Sequence, residues 1–420
     1  GAGALFFPIY NVSIRTGDPS VNNYFAQARK FGILGDLTVG FRNYAFLHGA
    51  FRTDIDSRLS QDNKYIPYYS VDASLVLSDI FPSIVDNNVL SFAKIRGAHS
   101  LTGNASPLAG GSQYIANGAY VINPVSLVAN GFPFNGLAGY AESPVIANPN
   151  LKPEQSTEDE VGLELGFWKN RINFNISAYH SKLSDGIVTA RISNASGASA
   201  TQVNAANVDN KGVEAELKFT VIKSKSVTWN VNANYTFQES KVTSINGDQK
   251  ALQINPFGNP NAYAIVDQAY PVIQAYDWKR DPSGRVIVDP VTGNPSQDPT
   301  LRAYGQATPK HIIGINSSVS WKGFTLSAVA DYRGGHKIVN ILGRYMDFTG
   351  IAATTAITGR QRFVFPNSSY LQDGKYVANT NVTVDDANFN FWPGLYRSVS
   401  GNYVTSAAAW KLREVSITYD

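Results

Sequence analysis

The chain has 420 residues, of which 16% are charged and 12% aromatic, and its formal net charge is +3. The mean hydropathy is -0.16, and no apolar run approaches the ~18 residues of a membrane helix, which argues against a helical membrane protein. The absence of cysteine excludes a disulfide framework and a thiolate metal site. No basic run is present that would follow a phosphate backbone, so nucleic acid is not expected as a partner.

The chain begins without clear periodicity and then acquires it. Residues 1–36 are expected to form an N-terminal loop segment. From Leu37 onward apolar and polar residues alternate, as is typical of strands that bury one face. The alternation predicts strands at 37–41, 44–52, 71–77 and 90–98. A segment rich in Gly, Ser, Asn and Pro follows at 102–157, and it is far longer than an ordinary connection.

The stretch 160–179 has the pattern of a membrane-spanning hairpin. Apolar residues occupy the odd positions of 161–167 and the even positions of 172–178, and Lys169-Asn170 separates the two runs. A tilted strand of ~9–11 residues crosses the hydrocarbon of a membrane. Strands of this length with one apolar face predict a transmembrane sheet. The two-residue break predicts a minimal turn, which the alternation of short and long connections along the chain assigns to the periplasmic side.

Further strands bring the predicted total to eleven, and they lie at 213–219, 227–237, 313–321, 324–332 and from 411 onward. Short and long connections alternate, and the long ones lie at 54–67, 102–157, 181–210, 238–310 and 334–409. Outer-membrane barrels have short periplasmic turns and long extracellular loops. The predicted fold class is therefore all-β, an antiparallel transmembrane β-barrel that occupies residues 37–420 and carries long extracellular loops.

Aromatic residues near the predicted strand ends are expected to form girdles at the level of the lipid headgroups. They are Trp168, Tyr179, Trp229, Phe237, Trp321, Phe324 and Tyr332. The alternative for any one of them is that aromatic residues are simply common in strands.

Charged residues inside the predicted strands indicate which face points away from lipid. A Lys or Arg that faces lipid near mid-membrane costs ~2–4 kcal/mol. We therefore predict that four charged strand residues face the lumen or a plug: Glu164, Glu214, Glu216 and Lys218. The alternative for each is that it hydrates the wall without contacting a substrate.

Aromatic residues in the long loops are candidate substrate-binding residues, because their rings can stack on sugar or peptide. They are Tyr276, Trp278, Trp392, Tyr396 and Tyr403. The alternative is that these side chains pack within their own loops.

An enzyme is not expected from the sequence. The histidines are scattered, with no second His three to five residues away, so zinc is not expected. Neither a G-x-S-x-G motif nor a Gly-rich phosphate loop occurs. The acidic run 158–160 is expected to be a solvated loop-to-strand junction, and the acids within 281–299 have turn spacing rather than the oxygen series of an EF-hand. No catalytic residue, metal or cofactor is predicted.

The segment 148–154 has the sequence Asn-Pro-Asn-Leu-Lys-Pro-Glu and precedes a strand that contains Gly162 and Leu163. It resembles a segment of TonB-dependent outer-membrane receptors, close to the SusC/RagA branch. Further segments resemble that family in the same order, at 92–96, 103–104, 208–214, 308–310, 331–335, 365–368 and 411–415. Each match alone has little weight, but their order over residues 31–420 makes the resemblance specific.

The resemblance implies a barrel of about 22 strands with a plug in its lumen, and the sequence is expected to supply only part of that barrel and no plug. It also implies TonB-dependent uptake of oligosaccharides or peptides across the Gram-negative outer membrane. The implied partners are a SusD-like surface lipoprotein, the TonB complex through the plug, outer-membrane lipid and a second transporter–lipoprotein pair. A passive porin or adhesin barrel is the alternative, and a soluble all-β carbohydrate-binding protein or hydrolase is a third hypothesis.

Overall fold

The computed structural model describes residues 29–85, 89–105, 145–146, 148–191, 193–196, 200–245, 249–254, 260–387 and 389–419. The strands in its first half are β1 (Lys30–Phe41), β2 (Ala45–Asp56), β3 (Tyr65–Val76), β4 (Leu90–Asn104), β5 (Val145–Ile146), β6 (Glu154–Phe167), β7 (Ile172–Arg191), β8 (Ala200–Lys223) and β9 (Val227–Ile245). Those in its second half are β10 (Ala251–Gln253), β11 (Asn261–Ile265), β12 (Val272–Trp278), β13 (Val286–Ile287), β14 (Gln297–Gln306), β15 (His311–Trp321), β16 (Phe324–Gly334), β17 (Lys337–Val339), β18 (Ser368–Gln372), β19 (Lys375–Ala378), β20 (Val404–Ser406) and β21 (Ala409–Tyr419).

Helical structure is sparse in the described part of the chain. The α-helices are α1 (Leu77–Ile80) and α2 (Ile341–Thr349), and a π-helical turn spans Phe391–Tyr396. Short 3₁₀ turns lie at Pro82–Ile84, Asn194–Ser196, Ala353–Ala356 and Ser400–Tyr403. None of these described helices is long and apolar enough to cross a membrane.

One large sheet organises the fold. Its strands are hydrogen-bonded in the order β1-β2-β3-β4-β6-β7-β8-β9-β15-β16-β21, and β5 pairs in parallel with β8 at one side. All other pairings in this sheet are antiparallel, as between β6 and β7 or β8 and β9. Within the described residues the sheet is open, with β1 and β21 at its edges. The prediction of an all-β antiparallel barrel fold is confirmed, and each of the eleven predicted strands has its counterpart among these eleven.

The register gives the sheet one apolar and one polar face. Directly opposite residues of an antiparallel pair lie on the same face. An apolar row crosses eight strands through Ile95, Leu163, Ile176, Ala215, Tyr235, Ile313, Tyr332 and Trp410. The adjacent row is polar or small, through Lys94, Glu164, Asn175, Glu216, Asn234, Gly314, Asp331 and Lys411. We call these two surfaces the apolar face and the polar face.

The strands extend beyond the alternating pattern at the end that bears the long connections. β1 starts at Lys30 rather than at Leu37, and the predicted loop 181–210 is reduced to 192–199 because β7 and β8 continue into it. In these extensions apolar and polar residues do not alternate, as at Ile33-Leu34 of β1 and Ile187-Val188 of β7, so backbone pairing continues without the pattern that predicts a strand. The predicted short turn 86–88 falls outside the described residues, and α1 lies in the connection that precedes it.

The connections after β9 and after β16 fold together into what we call the loop domain, residues 251–306 and 337–406 where described. It contains the small sheets β10-β11-β12-β14, β13-β18-β19 and β17-β20. The parallel pair of β13 and β18 joins the first connection to the second. Its core consists of Trp278, Val286, Val288, Phe365, Val384, Ala387, Phe391, Trp392 and Val399. The predicted loops 238–310 and 334–409 therefore contain folded structure of their own.

Candidate functional site

The polar face carries a network of ion pairs around Arg96. Nη1 of Arg96 donates to Oε1 of Glu164 (3.2 Å) and to Oδ1 of Asn175 (2.9 Å), and Nη2 donates to Oε1 of Glu160 (3.2 Å). Nζ of Lys94 donates to the same oxygen of Glu164 at 3.2 Å. Each charge in this network is therefore matched by an opposite charge on a neighbouring strand.

The four charged residues that we predicted to face the lumen all lie on this polar face. Glu164 belongs to the Arg96 network, and Glu216 is opposite Asn175 in register. Nζ of Lys218 lies 3.0 Å from Oε1 of Glu216. Glu214 follows the same side of β8, because alternate residues of a strand share a face. The structure thus brings the four residues together on one surface, and their orientation toward a lumen stays a prediction.

Tyr179 also lies on the polar face, opposite Glu160 in register. Its ring covers Gly212 of β8, where an added Cβ would lie 2.5 Å from Cζ of Tyr179. Glycine at position 212 therefore makes room for the ring. The prediction that Tyr179 belongs to an aromatic girdle is wrong, whereas Tyr332 lies in the apolar row as expected.

His48 joins three strands on another part of the polar face. Its Nδ1 lies 2.6 Å from Oδ2 of Asp72 on β3, and its Nε2 lies 2.6 Å from Oδ2 of Asp36 on β1. Both ring nitrogens of His48 therefore lie within hydrogen-bond distance of a carboxylate, one on each neighbouring strand. The sequence showed His48 only as one of several scattered histidines.

The segment 148–154 is fixed to the sheet by its own polar groups. Nδ2 of Asn148 donates to the carbonyl oxygen of Gln202 (2.9 Å), and its Oδ1 accepts from the N–H of Asn150 (3.0 Å). Leu151 is fully buried, and it packs in a small core with Leu59, Ile66, Ala105 and Ile187. The segment therefore anchors the end of the long connection between β4 and β6.

The acidic run 158–160 lies inside β6 and not at a loop-to-strand junction. Successive side chains of a strand point to opposite faces, so Glu160 reaches Arg96 on the polar face (3.2 Å) while Asp159 reaches His99 on the apolar face (2.7 Å). The expectation of a loop-to-strand junction is wrong, because the run lies within β6, while the Asp159 side chain is solvated as expected, with 67% of it exposed.

Four of the five predicted substrate-binding residues are packed together in the loop domain. The ring centroids of Trp278, Trp392 and Tyr403 lie 6.1, 4.9 and 6.2 Å from that of Tyr396. Trp278 and Tyr403 are each 5% exposed and Trp392 is 9% exposed, so these three rings belong to the interior of the domain. Tyr276 and Tyr396 are half-buried. Substrate stacking by these residues stays a prediction.

Helix α2 has its acidic residue turned inward. Asp347 is 5% exposed, and it accepts hydrogen bonds from Oη of Tyr403 (2.8 Å) and Oγ1 of Thr354 (2.9 Å). Burial and the hydrogen bond to Asp347 raise the pKa of the Tyr403 phenol, so the hydroxyl remains a donor at neutral pH. The helix is thereby fixed to the loop domain through its polar side.

The opposite side of α2 is apolar and exposed. Leu342 is 70% exposed and Tyr345 58%. Ile341 and Phe348 of the same helix and Ile351 and Ile357 in the residues that follow it are also exposed. A contiguous apolar patch on a folded surface marks an interaction site. We call this set of six residues the α2 patch.

The comparison with known families decides the identity of the fold. A family profile described as "TonB dependent receptor-like, beta-barrel" matches residues 10–333. The chain belongs to this family. It is accordingly part of an outer-membrane β-barrel.

Individual relatives agree with the family. The chain is 23% identical over 397 residues to the TonB-dependent receptor SusC of Bacteroides thetaiotaomicron, with 87% of this chain and 39% of the relative covered. It is 23% identical over 411 residues to the TonB-dependent receptor P26 of Formosa agariphila, with 87% and 40% covered. The chain thus spans about two fifths of the length of these curated relatives.

Among solved structures, the RagAB peptide transporter matches with a TM-score of 0.72 and 18% identity, covering 99% of this chain and 44% of the other. The same transporter in its closed-closed state gives a TM-score of 0.71. At this identity the match shows the shared fold. Together with the similarity to SusC, it confirms the predicted SusC/RagA resemblance.

Proposed function

We propose that the protein is an outer-membrane nutrient importer of the SusC/RagA type, which takes up oligosaccharides or peptides in a TonB-dependent manner. The observation that carries this proposal is the two-faced sheet, whose apolar row suits lipid and whose ion-paired row through Lys94, Glu164 and Glu216 suits a wet interior. In this arrangement the polar face lines the lumen and the loop domain lies on the extracellular side. Import then requires conformational change and no bond chemistry.

The loop domain is the part of the chain that a substrate meets first. We place substrate contact at the half-buried rings of Tyr276 and Tyr396, and the buried rings of Trp278, Trp392 and Tyr403 hold the ring of Tyr396 in place. Aromatic rings in a rigid setting can stack on sugar or peptide groups at little entropic cost. The carboxylates and lysines of the polar face would then provide a hydrated path below.

The SusD-like lipoprotein is the partner that we assign to the α2 patch. An importer of this type needs a surface that holds its lipoprotein, and the α2 patch is apolar, exposed and fixed from behind by Asp347. Covering a large apolar side chain stabilises a complex by ~1.5–3 kcal/mol. Removal of two such side chains should therefore weaken the pairing strongly.

Uptake by cells tests the function. A strain that lacks the gene should lose growth on one class of oligosaccharide or peptide and regain it with the wild-type gene. Loss of growth in a TonB-deficient strain supports active import, whereas unchanged growth there would favour a passive porin. Extraction of the protein from cells without detergent would contradict the membrane placement.

Co-purification tests the partner surface. The double variant Leu342→Asp/Tyr345→Asp should lose the lipoprotein while keeping the thermal stability of the transporter, because both side chains are exposed. The matched control Lys375→Asp/Tyr376→Asp changes an exposed strand elsewhere in the loop domain and should retain the lipoprotein. Equal retention by both variants would remove α2 from the interface.

A further inference from the structure

Two arginines lie beside the α2 patch without an acidic partner. Arg344 belongs to α2, and Arg397 directly follows the π-helical turn Phe391–Tyr396. Both side chains are half-buried. Within the described part of the chain, Nε of each is shielded from solvent without a hydrogen bond, and neither guanidinium forms an ion pair. A charge that is withdrawn from water normally has an opposite charge beside it, so the described residues leave these two cations without their counterpart.

Both arginines meet the α2 patch at the ring of Phe348. Residues three or four positions apart on a helix are neighbours on its surface, so Arg344 lies beside Phe348 and Ile341, which are both exposed. The guanidinium of Arg397 approaches from the neighbouring turn and lies 4.4 Å from the ring centroid of Phe348. The two positive charges are therefore at the edge of an exposed apolar surface.

The surroundings of α2 supply too little negative charge to neutralise these arginines. The segments 340–360 and 389–408 contain α2 and the turns that pack on it. They carry three arginines and one acidic residue, Asp347. Asp347 is turned inward, and its two oxygens accept hydrogen bonds from the hydroxyls of Tyr403 and Thr354. The outer side of this region is consequently positive and apolar.

We propose that Arg344 and Arg397 bind a carboxylate side chain of the lipoprotein that covers the α2 patch. This inference rests on the proposed function, which assigns the lipoprotein to that patch. A guanidinium binds a carboxylate through two parallel hydrogen bonds, and arginine and aromatic residues are enriched among the residues that dominate the energy of protein interfaces. The matching surface of the lipoprotein is thus apolar with an acidic residue set into it.

The geometry prepares the two cations for such a partner. Stacking on Phe348 holds the guanidinium of Arg397 in place before the partner arrives. The exposed apolar side chains of Ile341, Tyr345 and Phe348 would exclude water around the new ion pair, and exclusion of water strengthens it. The apolar contacts supply buried area, while the pairing of charges fixes the orientation of the lipoprotein.

The test uses the full-length transporter, purified in detergent, and the lipoprotein that co-purifies with it, which is identified by mass spectrometry and then purified alone. Their affinity is measured at about 50 mM and about 500 mM NaCl. Arg344→Gln/Arg397→Gln should bind at least about tenfold more weakly than the wild type at the lower salt concentration, with a smaller dependence on salt. Arg344→Glu/Arg397→Glu should bind more weakly still, because it repels an acidic partner. The control Lys279→Gln/Lys375→Gln removes two exposed cations elsewhere in the loop domain and should bind as the wild type does.

The apolar variant Leu342→Asp/Tyr345→Asp separates a failure of this pairing from a failure of the proposed function. If that variant retains the lipoprotein, or if no lipoprotein co-purifies with the wild type, the partner does not cover the α2 patch and the pairing falls with it. If the apolar variant loses the lipoprotein but Arg344→Gln/Arg397→Gln binds within about twofold of the wild type, the carboxylate pairing alone is overturned. Equal affinity of the Gln and Glu variants overturns it as well.

The folded state of each variant is verified by heat-dependent mobility on gels for the barrel and by hydrogen exchange at the amides of α2 for the loop domain. If the double variants do not fold, Arg344→Gln alone serves, because Arg344 forms no ion pair among the described residues. Unchanged affinity in that single variant counts against the site.

Discussion

Gly162 on β6 lies directly opposite Arg96 on β4, and the guanidinium of Arg96 occupies the space above this glycine. A Cβ at position 162 would lie only 2.6 Å from Cζ of Arg96. From this position Arg96 reaches across β6 to Asn175 on β7 at 2.9 Å. One missing side chain therefore allows one cation to connect three strands.

Replacement of this glycine should weaken the sheet. In Gly162→Ala the new methyl group displaces the guanidinium from Asn175 and its carboxylate partners, and the loss of such charge-assisted bonds costs ~1.5–3 kcal/mol. The measurement is urea-induced unfolding of the protein refolded into lipid vesicles. The control is Gly49→Ala on β2, where an added Cβ has nothing within 4 Å. The same destabilisation in both variants would show that glycine matters here only for backbone reasons.

The two faces of β9 should respond oppositely to a new charge. Val231 is opposite Phe219 on the apolar face, and its neighbour Asn232 is opposite Lys218 on the polar face. Val231→Lys places an ammonium group against lipid, which destabilises the barrel by ~2–4 kcal/mol near the midplane. The amount of folded barrel in outer membranes should therefore fall. Asn232→Lys should assemble normally, since water on the polar face screens its repulsion with Lys218.

Heat-dependent mobility on gels measures the folded fraction of both proteins. If the Val231 and Asn232 variants assemble equally well, the apolar face does not lie against lipid.

The strands could be predicted from the sequence because one face of each must be apolar. Val231 and Asn232 are an example: these adjacent residues lie on the apolar and the polar face, and the difference between the faces is visible in the residue types. For the same reason Glu164, Glu214, Glu216 and Lys218 could be assigned to one face. The signal ends where the strands leave the apolar band, so the continuation of β7 to Arg191 was missed.

The loop domain could not be predicted, because its stabilising contacts join residues that are far apart in the sequence. Val286 pairs with Ser368 in parallel, and the ring of Trp278 packs against that of Tyr396. Such contacts produce no periodic pattern in the sequence. The ion pair of Asp159 with His99 joins distant residues in the same way and has no local pattern in the sequence.

The segment 148–154, which resembles TonB-dependent receptors, should stabilise the end of its connection chiefly through Leu151. This side chain is fully buried in a core with Leu59, Ile66, Ala105 and Ile187. Truncation of a buried leucine costs ~2–5 kcal/mol, so Leu151→Ala should loosen the end of the connection between β4 and β6.

Limited proteolysis followed by mass spectrometry detects such loosening as faster cleavage near residues 148–154. The control Lys152→Ala removes an exposed side chain from the same segment and should be cleaved at the wild-type rate. If cleavage is equally fast in both variants, the core around Leu151 does not hold the segment.

Asp281 should make the stability of the loop domain dependent on pH. Its Oδ1 accepts from the N–H groups of Ser283 (2.8 Å) and Arg285 (3.0 Å), and its Oδ2 accepts from Nε of Arg285 (2.8 Å) and Oγ of Ser369 (2.8 Å). Burial alone would raise the pKa of this carboxyl, but the hydrogen bonds from Ser369 and Arg285 outweigh burial and hold the pKa below its usual value.

The sign of the dependence follows from this lowered pKa. An unfolded Asp titrates near about 3.9, so the unfolded chain takes up the proton first as the pH falls. The contribution of Asp281 is therefore fully present above about pH 5 and is lost as the pH falls through the lower pKa of the folded state. Asp281→Asn should be less stable than the wild type at pH 7 and should lose less stability on acidification.

Hydrogen exchange at the amides of β13 and β18, measured at pH 7, 5, 4 and 3 and corrected for the intrinsic rate at each pH, reports the opening of this part of the domain. The control Asp373→Asn removes a carboxylate from an exposed turn after β18. It should keep the wild-type pH profile, because that side chain is not buried in the hydrogen-bonded turn that Asp281 organises. A wild-type profile in Asp281→Asn as well would mean that other carboxylates control the acid sensitivity of the loop domain.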